Sequence, residues 1–223
     1  MNRPPAYRGG VCEIFQRAEL ASCFSREIGI FYTHAHLRYI EAMARLGEAD
    51  AMIEGFGKIT PAGLSVSVPH ALPRQANAYF SSSDAVVNSR YEAADRYPDI
   101  VAGRIPVDGG WRIYSSGPGI YLSLAVTRLI GIRKWYGSLV IDPVLPRSWN
   151  GLTARIPFES RDLTVNFAVV ENTHTPRAVT LNGVSLTATR ITDNPYRSGG
   201  WEVPLATVRD LLTDGPNLLE ILL

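Results

Sequence analysis

A chain of 223 residues is long enough for one large domain or two small ones. Its formal net charge is +1, with the basic residues spread along the chain, which excludes the strong electrostatic bias of a nucleic-acid or membrane-surface binder. No apolar run reaches the roughly 18 residues of a membrane-spanning helix, and the opening MNRPPAYRGG lacks the apolar centre of a signal peptide, so the sequence predicts a cytoplasmic protein.

Cys12 and Cys23 match no metal-ligand spacing and read as reduced thiols. The clearest helical pattern is 34–46, HAHLRYIEAMARL, with Thr33 as N-cap and Gly47 just past its end. Arg38, Glu41 and Arg45 form a polar stripe opposite Leu37, Ile40, Met43 and Ala44. A shorter helix is predicted over 48–57, closed by Gly57 and Pro61, and another over 84–97, ended by Pro98. The last helix of this half, 118–132, is apolar on most sides, which predicts a helix packed inside the fold. Near residue 135 the character changes to short β-branched and aromatic runs separated by Pro, Gly, Asn and Asp. Strands are predicted at 137–142, 152–158, 162–170, 177–181, 184–190, 200–204 and 217–222, with a short helix over 205–212. Asn182-Gly183 reads as a hairpin turn, and Leu163-Thr164-Val165-Asn166-Phe167 as a half-buried strand.

Ser115-Ser116-Gly117-Pro118-Gly119 stands at the mouth of helix 118–132. Pro118 suits a first helical turn, and the free N–H groups there, with two hydroxyls and close-approach glycines, suit an anion such as phosphate. The same residues also fit an ordinary capped helix whose serines bond their own backbone. His34 and Arg38 share a helix face and would either line an anion pocket or sit as a packed histidine and a solvated arginine. His34-Ala-His36 has no third ligand nearby and makes a poor metal site. In RQANAYFSSSD (74–84), Gln75 and Asn77 suit sugar hydroxyls, and Tyr79 and Phe80 suit a sugar face; a plain polar connection fits as well. Trp111 in GGWRIY fits a sugar platform or a core anchor. Asp84, Glu92, Asp95 and Asp108 have no context that marks a general acid, and there is no nucleophile elbow, P-loop or dinucleotide fingerprint.

Four stretches taken together, GIFYTHAHLRYIEAMARLGEAD (29–50), RQANAYFSSSDAVVNSRYEA (74–93), GGWRIYSSGPGIYLSLAVTRLIGI (109–132) and YGSLVIDPVLPRSWNGLTARIPF (136–158), resemble the C-terminal part of glycoside hydrolase family 94. The wording of RQANAYFSSSD and YSSGPGIYL is most similar to the β-1,2-oligoglucan branch. The resemblance implies an α+β chain: helices of an incomplete (α/α) six-hairpin barrel over 1–135, then an antiparallel β-sandwich or jelly-roll-like domain over 136–223. It implies reversible, inverting phosphorolysis of β-glucosides that yields α-glucose 1-phosphate, with inorganic phosphate as co-substrate and no metal or organic cofactor. It assigns phosphate binding to His34, Gln75, Ser115, Ser116 and Gly117; Tyr79 and Trp111 stay the sugar candidates read from the residues themselves. The family's general acid, an aspartate, and two phosphate-binding arginines belong upstream of the matching segment, so no catalytic residue is expected in this chain. The implied partners are a β-glucan oligosaccharide, phosphate, and either the upstream part of the enzyme or a second copy. A non-catalytic carbohydrate-binding or structural fragment is the alternative.

Overall fold

The structure, a computed structural model, describes residues 33–60, 66, 69, 71–73, 85–88, 90–109, 116–170 and 174–223. Two compact units divide the chain, Met1–Tyr39 with Glu54–Ile120, and Ile40–Ile53 with Tyr121–Leu223. The chain is α+β, as the sequence predicts. Among the described residues no helix is long and apolar enough to cross a membrane.

Helix α1 spans Thr33–Leu46 and α2 spans Ala49–Ile59. Leu37, Ile40 and Ala44 on the expected apolar face of α1 are buried, while Arg38 and Arg45 are exposed. Gly47 stops α1 by entering the left-handed region at φ 81. There the Glu48 N–H bonds Met43 O at 2.9 Å and the Gly47 N–H bonds Ala44 O at 3.3 Å, a Schellman closure.

In the first unit, β1 (Ala71–Pro73) pairs in parallel with β2 (Val107–Gly109). The helix expected over 84–97 is instead broken. Residues 85–88 are not helical, α3 covers Arg90–Asp95, and α4 covers Tyr97–Val101. Pro98 does not end a helix but sits in the first turn of α4, where a missing N–H removes no helical bond.

Helix α5 covers Ser116–Leu124 and passes into a π-helical segment, Ala125–Leu129, in which the Ile130 N–H reaches back to Ala125 O at 2.9 Å. The helix ends earlier than the predicted 132. Gly131 turns at φ 73 so tightly against Asp142 and Pro143 that a Cβ there would overlap their backbone. The chain is then free to start β3 (Ile132–Trp135), a strand missing from the sequence reading. The expectation that this helix is buried on most sides is also corrected. Of its described side chains Leu124 is buried, whereas Leu122 is 61% exposed. Apolar composition sets what a helix can bury, but only neighbours that reach it decide what it does bury.

Two sheets build the second unit. β4 (Ser138–Ile141), β9 (Thr189–Arg190) and β10 (Trp201–Pro204) join β3 in the order β3-β4-β10-β9, all antiparallel. The larger sheet contains β5 (Thr153–Phe158), β6 (Arg161–Ala168), β7 (Ala178–Leu181), β8 (Val184–Ser185) and β11 (Asn217–Leu222), in the order β5-β6-β11-β7-β8. A wholly antiparallel β portion is therefore not found, because β11 runs parallel to β6. The long connection between them, which includes helix α6 (Leu205–Leu211), gives the chain the length a parallel return needs. Leu139, Ile141 and Val203 from one sheet and Leu163, Val165, Phe167, Leu219 and Ile221 from the other share one apolar core. The alternation predicted for 163–167 holds residue by residue.

Asn182-Gly183 forms the predicted hairpin turn, with φ of 50 and 80. The Asn182 side chain donates to Leu211 O at 2.8 Å and to Asn217 Oδ1 at 2.9 Å, and it accepts the Leu218 N–H at 2.9 Å. Buried Asn217 completes this network by donating to Thr213 O and Gly215 O, each at 3.0 Å, so no group of either amide is desolvated without a partner.

The β5–β6 hairpin uses the same left-handed turn without a glycine, with Glu159 at φ 50 and Ser160 at φ 60. The Glu159 carboxylate accepts from Lys134 Nζ and Arg209 Nε, both at 2.7 Å, and these two cations bring its carboxyl down to about 2. Ser160 is exposed. Ser160→Gly is expected to stabilise the protein by about 0.5–1 kcal/mol, the left-handed penalty of an L-residue less glycine's larger unfolded-state entropy; urea denaturation of the two proteins measures it.

Candidate functional site

Two helix N-termini come together in the first unit. Gly117, in the first turn of α5, is buried, and a Cβ built on it would lie 3.7 Å from Thr33 Cγ2. Thr33, itself buried, opens α1 and immediately precedes half-buried His34. The first N–H groups of each helix have no partner within that helix, and both helix dipoles put partial positive charge at this end. Pro118 contributes no donor to α5. The arrangement therefore concentrates donors and positive potential around residues 33–34 and 116–117, a chemistry suited to an oxyanion.

Of the residues assigned to binding from sequence, His34 and Gly117 lie on these two helix starts. Ser116 begins α5. Gln75, Tyr79, Trp111 and Ser115 lie outside the described residues. His36 has a structural contact. Its Nε2–H donates to Gly55 O at 2.9 Å, its ring lies 5.6 Å from that of Tyr39, and burial lowers its pKa. Among the described residues no group of three His, Cys, Asp or Glu side chains is arranged to hold a metal ion.

The second unit shows a polar cluster that the sequence reading missed. The last carbonyls of α1 lack helical partners, and side chains from two loops answer them. Arg197 Nε donates to Ala44 O at 3.1 Å, Asn194 Nδ2 to Arg45 O at 2.9 Å, and His174 Nε2 to Gly47 O at 2.8 Å. Arg197 Nη1 also donates to Asp142 Oδ1 at 2.9 Å, and Arg133 Nη1 lies 3.5 Å from Asp142 Oδ2. Arg197 and Asp142 side chains are only 9% and 8% exposed. Asp142 was visible in the quoted stretch 136–158, and the polar run DNPYRSGG (193–200) carries both Asn194 and Arg197. The missing signal was pairing across 55 residues, which no local pattern encodes.

No family model matches the chain. A 1,2-beta-oligoglucan phosphorylase from Listeria innocua is 46% identical over 167 residues, covering 75% of this chain and 15% of that protein. This chain is similar to part of a 1,2-β-oligoglucan phosphorylase. The cyclic beta-(1,2)-glucan synthase NdvB of Rhizobium meliloti is 33% identical over 166 residues, covering 67% of this chain and 5% of that protein. The chain thus spans a small part of the length of both relatives. The resemblance to the β-1,2-glucan branch read from residues 29–158 is shown by these matches.

Two outcomes are expected of the cluster around Arg197. Arg197→Met removes the nearer of the two cationic partners of a buried carboxylate and one cap of α1, so the unfolding free energy should fall by about 3 kcal/mol, read from chemical denaturation. Burial, and after it nearby Arg197, lowers the His174 pKa against the opposing pull of the Nε2–H bond to Gly47 O, and its Nδ1 is buried without a partner. Its folded-state pKa lies below the ordinary 6.5, so its share of stability is present above that pH and is lost as pH falls through the lowered value. Unfolding midpoints should decline on that acid side, and less steeply in His174→Gln.

Proposed function

We propose that this chain supplies the C-terminal part of a phosphorolytic glucan enzyme, with inorganic phosphate held between the starts of α1 and α5. His34, Gln75 and the Ser115–Gly117 turn hold the phosphate, and Tyr79 and Trp111 face the sugar. Phosphate attacks the anomeric carbon of a β-1,2-linked glucose from the side opposite the leaving sugar. An aspartate carried by an upstream segment protonates the leaving oxygen, and inversion yields α-glucose 1-phosphate. The helices belong to an (α/α) barrel completed by that upstream segment or a second copy, and the β unit is its jelly-roll-like companion. The chemistry asks for no metal or organic cofactor.

The observation that carries this reading is the 46% identity to a protein named as a 1,2-beta-oligoglucan phosphorylase. The closeness of Thr33 to Gly117 supports it, since it gathers two sets of helix-terminal donors where the phosphate residues are assigned.

The test combines this chain with a barrel segment that carries the aspartate and follows phosphate release from glucose 1-phosphate with a β-1,2-glucan acceptor. Turnover is expected from the mixture. Ser115→Ala/Ser116→Ala should raise KM for phosphate in the phosphorolytic direction by about tenfold or more, with about 1–3 kcal/mol lost per charge-assisted bond. An unchanged phosphate KM defeats the assignment of that turn. A folded mixture without turnover favours a carbohydrate-binding or structural role.

A further inference from the structure

We propose that a cleft in the second unit, flanked by Trp135 and Tyr196, binds a neutral glucan chain at a site separate from the residues assigned to phosphate. The cleft holds about 860 Å³, within the about 300–1,000 Å³ of small-molecule sites. Trp135 and Tyr196 line it and are 58% and 65% exposed. Two large rings held open to water beside a polar cleft are what the apolar face of a pyranose needs for stacking, and the polar groups between them suit its hydroxyls.

The electrostatics favour a neutral polyol over an anion. Six basic and three acidic residues line the cleft. Two of the basic residues are already engaged by carboxylates outside the lining, Arg128 with Glu41 at 3.7 Å and Lys134 with Glu159 at 2.7 Å. Counting those carboxylates and Arg209, which shares Glu159, gives seven positive against five negative charges, with five of the seven cations already held by carboxylates, so little cationic character is left for an anion. Arg133 and Arg197 share Asp142, so this part of the wall is preorganised. Arg190, Asp193 and Glu202 add planar donors and acceptors along the cleft, matched to adjacent hydroxyls on a sugar ring. The stacking and hydrogen-bonding chemistry specifies a sugar; the choice of a glucan rests on the proposed function.

The test titrates the chain with a β-1,2-linked glucotriose and with cellotriose, followed by calorimetry and by saturation-transfer NMR. Saturable binding is expected for at least one of them. Trp135→Ala should weaken it about tenfold, the loss expected for one stacked ring, and Tyr196→Ala and Arg190→Ala should weaken it several-fold. All three side chains are exposed, so the melting temperature should hold and separates lost binding from lost folding. Absence of saturable binding, or equal affinity in Trp135→Ala and Tyr196→Ala, overturns the proposal. So does preferential binding of inorganic phosphate in the cleft, or protection of Trp135 from acrylamide quenching by another protein segment in the completed enzyme. Trp135-dependent sugar binding without phosphorolysis in the mixture would retain this site and remove the proposed function. Phosphorolysis with binding indifferent to Trp135 would do the reverse.

Discussion

The C-terminal end of α1 is the constraint on which most of the described structure turns. A helix end brought out of water must find donors for its last carbonyls, and here they come from Arg197, Asn194 and His174, residues more than a hundred positions away. Gly47 makes this possible. Its left-handed conformation closes the Schellman turn, and a Cβ in its place would press on the Arg197 Cδ at 3.0 Å and the His174 ring at 3.1 Å. With no side chain at residue 47, the Arg197 methylene and the His174 ring approach the helix end closely.

Arg197 also explains why Asp142 is tolerated among buried neighbours. An ionised carboxylate withdrawn from water is costly unless paired and hydrogen-bonded, and Asp142 faces two guanidiniums. The same arginine thus serves a helix carbonyl and a strand-end carboxylate together. Close backbone approach supports the junction, since Gly200 passes directly against Ile141 O and Gly131 against Pro143. Charge, hydrogen bonding and glycine placement all act on the single bend between β4 and the 3₁₀ turn at Arg147–Trp149.

Local patterns made much of this fold readable. The period of Leu37, Ile40 and Ala44, the alternation of 163–167 and the Asn182-Gly183 turn depend on neighbours a few residues away, and each appears as expected. Features set by distant partners did not show. The parallel pairing of β11 with β6 depends on which edge is open when 217–222 arrives, and the exposure of α5 depends on what reaches it. Pro98 fits either the end or the start of a helix, and only the bend at Arg96 decides between them. For the candidate site, sequence indicated the two helix starts, because caps, prolines and glycines are local signals. The Asp142–Arg197 pair and the cleft beside it are tertiary in origin and leave only polar residues scattered along a loop.

The order of the larger sheet has a consequence for biosynthesis. β11 is made after both β6 and β7, yet it lies between them, pairing with both. Until residues 217–222 are made, β6 and β7 each present a bare edge and the Leu163, Val165 and Phe167 face lacks its same-sheet neighbours Leu219 and Ile221. The larger sheet therefore waits as two separate hairpins, with open edges of the kind that pair with other chains, and its closure depends on contacts far apart in sequence, the slow kind to form. Vectorial synthesis leaves this region exposed to holdase chaperones and to misassembly until β11 arrives.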